Sequence, residues 1–113
     1  MLIAFSFRAK PGHESEFEQA LNNPDSGRAF ATMMGATRNT LFLKAGRMIR
    51  VLEFPEGVQP VSFGDLARRD PKVREFLERL GGLIEDGFDP DVPGSLEAFN
   101  DRNTYPLAYD VRV

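Results

Sequence analysis

The run Ala36-Thr37-Arg38-Asn39-Thr40-Leu41-Phe42-Leu43-Lys44-Ala45-Gly46-Arg47-Met48-Ile49-Arg50-Val51-Leu52-Glu53-Phe54 decides how the chain folds. Two segments rich in Leu, Phe, Ile and Val flank Lys44-Ala45-Gly46, the pattern of a β-hairpin. Gly46 suits a type I turn closed by a glycine bulge, a three-residue loop that sets Leu43 opposite Arg47. In that register Arg38, Thr40 and Phe42 share one face with Met48, Arg50 and Leu52, and Leu41, Ile49 and Val51 take the other. The assignment is conditional on the loop. A two-residue turn shifts the register and carries Arg50 to the face of Leu41.

Toward the N-terminus, Leu2 to Arg8 alternates, with Ile3, Phe5 and Phe7 on one side: a strand. Lys10-Pro11-Gly12 is turn chemistry. From His13 the period becomes helical, with Phe17, Ala20 and Leu21 on one stripe. Glu14, Glu16 and Glu18 lie early in the helix, where its dipole favours carboxylates. Asn22-Asn23-Pro24 ends that helix. Asp25 to Gly35 reads as a partly helical connection, in which Asp25 is a candidate cap for Ala29, Phe30 and Met33.

Toward the C-terminus, Pro55 to Pro60 is loop. Ser62 with Asp65 resembles a capping box opening a short helix through Ala67. Asp70-Pro71 pairs an N-cap with proline at the first helical position, and Val73, Phe76, Leu77 and Leu80 follow at helical spacing up to Gly81-Gly82. Glu85 to Asp101 holds six acidic residues and no basic one. With Pro90 and Pro93 it reads as an exposed loop with one short turn around Leu96–Phe99. Tyr105, Leu107, Tyr109, Val111 and Val113 alternate with small or polar residues, which predicts a last strand; Pro106 sets it at a strand start or an edge.

The order is β-α-β-β-α-β, a single α+β domain over residues 1–113 of the ferredoxin-like type. Four antiparallel strands would carry helices on one face. The first strand and the hairpin are apolar on both sides, so the second face would leave a large exposed patch. Pairing of two sheets in a homodimer removes it.

Composition limits the function classes. The chain of 113 residues carries 14 basic and 17 acidic groups, net −3, without the basic excess of a general nucleic-acid binder. Without cysteine it has no thiolate chemistry, disulfide or Cys-held metal. No apolar run approaches the ~20 residues of a membrane helix, and the start lacks a leader pattern, which together predict a cytoplasmic protein without membrane contact.

Catalytic signatures are absent: no nucleophile elbow, phosphate loop, dinucleotide fingerprint or zinc-binding helix. Asp86, Asp89, Asp91 and Gly94 resemble a calcium loop only faintly. Counting from Asp89, Pro93 and Asn100 fall where ligands are required, so a solvated acidic loop is the better reading and no metal is expected. His13, the one imidazole, is a candidate proton carrier, against the plainer reading of an exposed first-turn residue. Arg38 and Arg50 stand among apolar neighbours mid-strand, where a guanidinium is costly to bury alone. They are candidates to hold a developing enolate or phenolate, the alternative being structural pairs such as Arg38 with Glu53.

The stretches Ala4-Phe5-Ser6-Phe7 with Lys10-Pro11-Gly12, the hairpin, and Leu66-Ala67-Arg68-Arg69-Asp70-Pro71-Lys72-Val73-Arg74-Glu75 resemble the SchA/CurD-like proteins of aromatic polyketide and spore-pigment clusters. More distantly, the hairpin and second helix resemble the small tetracenomycin-type polyketide cyclases. The likeness covers roughly residues 2 to 85. It implies a dimeric α+β barrel and a tailoring role, without cofactor or metal, on a poly-β-ketone or polycyclic aromatic intermediate, with other polyketide synthase components as possible partners. The histidine that faces the cleft in those cyclases is matched here by Arg50; an arginine can stabilise an enolate but is a poor base. Arg38, Arg50 and His13 are the expected catalytic residues. The expected pocket lies between helices and sheet, lined by Phe17, Met33, Thr40, Phe42, Met48, Leu52 and Phe76, with Arg28 to Gly35 as a lid. A cofactor-free monooxygenase acting on an anthrone-like phenol and a non-catalytic scaffold are the alternatives.

Overall fold

A computed structural model describes all 113 residues. Its elements are β1 (Leu2–Arg8), α1 (Glu14–Leu21), α2 (Pro24–Met34), β2 (Arg38–Lys44), β3 (Arg47–Glu53), α3 (Phe63–Arg69), α4 (Pro71–Gly81), α5 (Ser95–Asn103) and β4 (Thr104–Tyr105). The strands form one antiparallel sheet in the order β2-β3-β1-β4, the ferredoxin-like arrangement. No helix is long and apolar enough to cross a membrane.

The hairpin corrects the three-residue loop. Lys44 pairs with Arg47, leaving a two-residue turn in which Ala45 and Gly46 have φ of 48° and 77°. Positive φ at both positions is the type I′ geometry whose twist matches the strands. The turn is also clamped from outside: the Gly46 carbonyl accepts from Ala9 N–H at 2.8 Å, and the Gly46 N–H donates to Glu18 of α1 at 3.4 Å. A side chain at position 46 would meet Glu14 at 2.6 Å, so glycine is required by space as well as by φ.

That register reassigns the faces. Cross-strand partners share a side of the sheet, so Ile3, Phe5 and Phe7 lie with Leu52, Arg50 and Met48 and with Asn39, Leu41 and Leu43, toward the helices. Arg38, Thr40 and Phe42 lie on the opposite, outward face with Ile49, Val51, Ala4 and Tyr105. The inward face joins the core, where Phe17, Phe54, Met48, Ile84 and Val73 are fully buried. Phe7 meets Phe17 edge-on at 5.9 Å and Phe99 at 5.2 Å. The outward face carries no helix, and Phe42 and Ile49 are 58% and 43% exposed there.

Several elements differ from the sequence reading. Residues 24–34 form a full helix whose cap is Asn23, not Asp25: the Asn23 side chain accepts from Ser26 N–H, Pro24 takes the first turn, and Gly35 closes the helix at φ 87°. The segment expected as a lid is therefore most of a regular helix. Ser62 and Asp70 cap α3 and α4 as expected. The acidic loop ends in a genuine helix, α5, whose Leu96 and Phe99 are buried against the core. The last strand pairs only at Thr104 and Tyr105, and every residue from Pro106 to Val113 is exposed.

Candidate functional site

Arg50 sits mid-sheet on β3, beneath the helical layer, flanked by Phe5 on β1 and Leu41 on β2. None of the chain's ion pairs includes it. Its one side-chain partner is neutral: Nη1 donates to Asn39 Oδ1 at 2.7 Å, and Asn39 Nδ2 in turn donates to the Gly27 carbonyl of α2 at 2.9 Å. Burial without a counter-charge pulls the guanidinium down to about 10. It stays protonated at neutral pH, a cation held in place by an amide tied to a helix backbone.

Two cavities meet at this residue, sharing Leu21, Asn23, Gly27 and Arg50 in their walls. The outer one is a cleft of about 630 Å³ between α2 and the edge strand β2. Arg28, Arg38 and Arg50 line it together with Asn22, Asn23, Thr32, Thr37 and Asn39, and no Asp, Glu or His does. The inner one, about 60 Å³, is walled by aromatic side chains including Phe5, Phe30, Phe63, Phe76 and Phe99. An apolar cavity of ~150 Å³ takes one benzene, so the inner space admits only the edge of a ring. The cleft has the size of an ordinary small-molecule site.

The expected site residues separate. Arg50, Met48 and Phe76 line the inner cavity. Arg38 is on the other face of the sheet from Arg50 yet still lines the cleft, because β2 is an open edge around which its side chain reaches. Thr40 and Phe42 point outward, away from both cavities, a consequence of the two-residue turn. Phe17 and Leu52 are buried in the core and Met33 packs against it; none lines either cavity. His13 is the residue before α1, exposed, 3.7 Å from Glu16, and borders neither space.

Asn39 and the aromatic walls Phe5 and Phe63 were missed by the sequence reading. The conditional two-residue register held the signal for Asn39, since it places residues 39, 41 and 50 on one side. Phe30 meets Phe63 at 5.6 Å and Phe76 at 5.1 Å, joining three helices in one aromatic wall that no single periodicity announces.

No family model matches the chain, and no curated protein does. Among solved structures an L-rhamnose mutarotase from Formosa agariphila is similar, at 12% identity and a TM-score of 0.56, over 100% of this chain and 98% of that one. At that identity the likeness speaks for the fold, a ferredoxin-like α+β domain.

Proposed function

We propose that the chain binds a poly-β-ketone or polycyclic phenol through its enolate or phenolate and directs its cyclisation, without cofactor, in aromatic polyketide biosynthesis. The observation that supports this reading is the cleft lined by three arginines and no carboxylate, with one of them buried and uncompensated. Fixed cations facing the place where negative charge develops lower the barrier most in a partly desolvated site. In an intramolecular aldol step the enolate carbon bonds to a ketone carbon, the carbonyl oxygen takes up a proton, and water then leaves. Arg50 and Arg38 stabilise the enolate. The cleft offers no base, so the proton of the acidic methylene between two ketones passes to water, and the protein contributes orientation and charge.

The same lack of acid and base groups disfavours a sugar substrate, whose ring opening needs a proton donor and acceptor. The monooxygenase alternative consumes oxygen, whereas cyclisation does not. Profiling the rings formed from a reactive polyketone tests the proposal: the protein narrows the product distribution and takes up no oxygen. An unchanged distribution leaves an anion-binding scaffold. Binding is read separately with a hydroxyanthraquinone, whose visible absorption reports ionisation. A site of this charge lowers its apparent pKa by about 1–3 units, and Arg50→Met removes the shift.

A further inference from the structure

We propose that the inner aromatic cavity gauges the alkyl end of the ligand's carbon chain, accepting about one to three carbons, and that Gly27 keeps the passage to it open. The inference rests on the reading that Arg50 holds an enolate, and adds which chains can present one there. The two spaces meet at Leu21, Asn23, Gly27 and Arg50, so whatever enters the inner one passes the guanidinium.

Size sets the first limit. The cavity offers about 60 Å³, against the ~150 Å³ that takes the six carbons of benzene, which leaves room for roughly two or three carbon atoms. Its walls are mostly phenylalanine. Phe5, Phe30, Phe63 and Phe76 stay partly exposed, although Phe7, Met48 and Leu77 beside them are buried. Apolar walls around a small void lack contact partners, and an alkyl group supplies them. A ring fits less well: with one edge inside, its remaining carbons stand in the passage against Asn23 and Arg50. An unbranched end puts only the carbonyl carbon there, its oxygen turned to the guanidinium. The rest of the chain then extends into the outer cleft, toward Arg28 and Arg38.

Gly27 is the second observation. It lies inside α2, where glycine is the least favourable residue after proline. Neither backbone nor space calls for it. Its φ is outside the left-handed region, and a side-chain carbon added there would meet only Asn39 Nδ2, at an ordinary 3.5 Å. What the missing carbon leaves is width between α2 and the sheet, at a point both cavities share. That width is held in place. The Gly27 carbonyl accepts from Asn39 Nδ2 at 2.9 Å, and Asn39 Oδ1 accepts from Arg50 at 2.7 Å. One chain of hydrogen bonds thus ties the passage to the position of the cation.

The experiment uses the full chain, its Gly27→Ala variant and symmetric β-diketones with methyl, propyl, tert-butyl or phenyl ends. Near-ultraviolet absorption reports the bound enolate, and the ring resonances of Phe30 and Phe76 report entry into the inner cavity. The propyl diketone is expected to bind roughly tenfold more tightly than the methyl one, the gain of two buried methylenes. The tert-butyl and phenyl ends overfill the space, bind more weakly than propyl by about tenfold, and leave both rings undisturbed. Gly27→Ala melts higher, as a helix gains from alanine, and brings propyl down to the level of methyl. Equal binding of all four ends, ring resonances that none of them moves, or an unchanged preference in Gly27→Ala overturns the proposal; the enolate site then stands or falls by the absorption alone. Ring shifts that follow the ends without enolate absorption keep the size limit and overturn the enolate reading instead.

Discussion

Arg50 shows how one side chain trades stability for a site. Its depressed pKa means that the folded chain releases the proton from about pH 10 upward while the unfolded chain still holds it. Stability from this group therefore rises with pH above about 10, and at neutral pH the buried charge is a standing cost. Arg50→Met removes that cost, so the variant is expected to unfold at no lower, and up to about 2 kcal/mol higher, free energy in urea while anion affinity falls more than tenfold. Asn39→Asp separates charge from packing. It places a carboxylate where the 2.7 Å amide contact stands, restores the arginine pKa toward its ordinary value, and weakens anion binding without emptying the site. Titration with a phenolate dye reads both variants. The reason Arg50 could be singled out from sequence is thermodynamic: an unpaired guanidinium among apolar strand residues is rare enough to notice. Asn39 is an ordinary polar residue on an edge strand, and only the register gives it a role.

At the scale of elements, the chain's own rules were legible wherever a cap or a period is local. Ser62 and Asp70 mark helix starts, and both accept the backbone N–H they are placed to accept. The hairpin turn was not legible, because Lys44-Ala45-Gly46 fits either a two- or a three-residue loop and Ala45 is a poor choice for φ of 48°. Packing against α1 decides it. Ala45→Gly relieves the left-handed residue and is expected to stabilise by about 0.5–1 kcal/mol. Gly46→Ala meets Glu14 and keeps a positive φ, and is expected to lower the melting midpoint. Thermal melts of the two variants moving in the same direction would contradict this account of the turn. The helix α5 escaped the sequence reading for a different reason: its segment is acidic and only two of its residues are buried, so no stripe stands out.

For the molecule as a whole, the order of strands followed from the sequence, and the core followed in part. Phe99 illustrates the gap. It comes from the acidic segment, yet it bridges Phe7 of the sheet and Phe88 at 5.2 and 5.0 Å. Phe99→Ala is expected to cost about 3–5 kcal/mol, a large share of the ~5–15 kcal/mol that holds a domain of this size. A urea midpoint close to that of the parent would mean that α5 is not part of the cooperative unit.

The type I′ turn has an evolutionary consequence. Substitutions along Arg38–Glu53 act one side chain at a time, but the addition of one residue beside Ala45 converts the two-residue loop into the three-residue one. The loop absorbs that residue and Lys44 stays opposite Arg47, whereas one added inside β3, after Arg47, turns the rest of the strand over: Met48 and Leu52 leave the core and the cleft loses Arg50. Descendants of this chain can therefore drift in sequence along the hairpin while the lengths of its two strands stay fixed. Variation in length should collect outside the paired strands, above all in the stretch from Pro55 to Val61, where no strand partner counts residues.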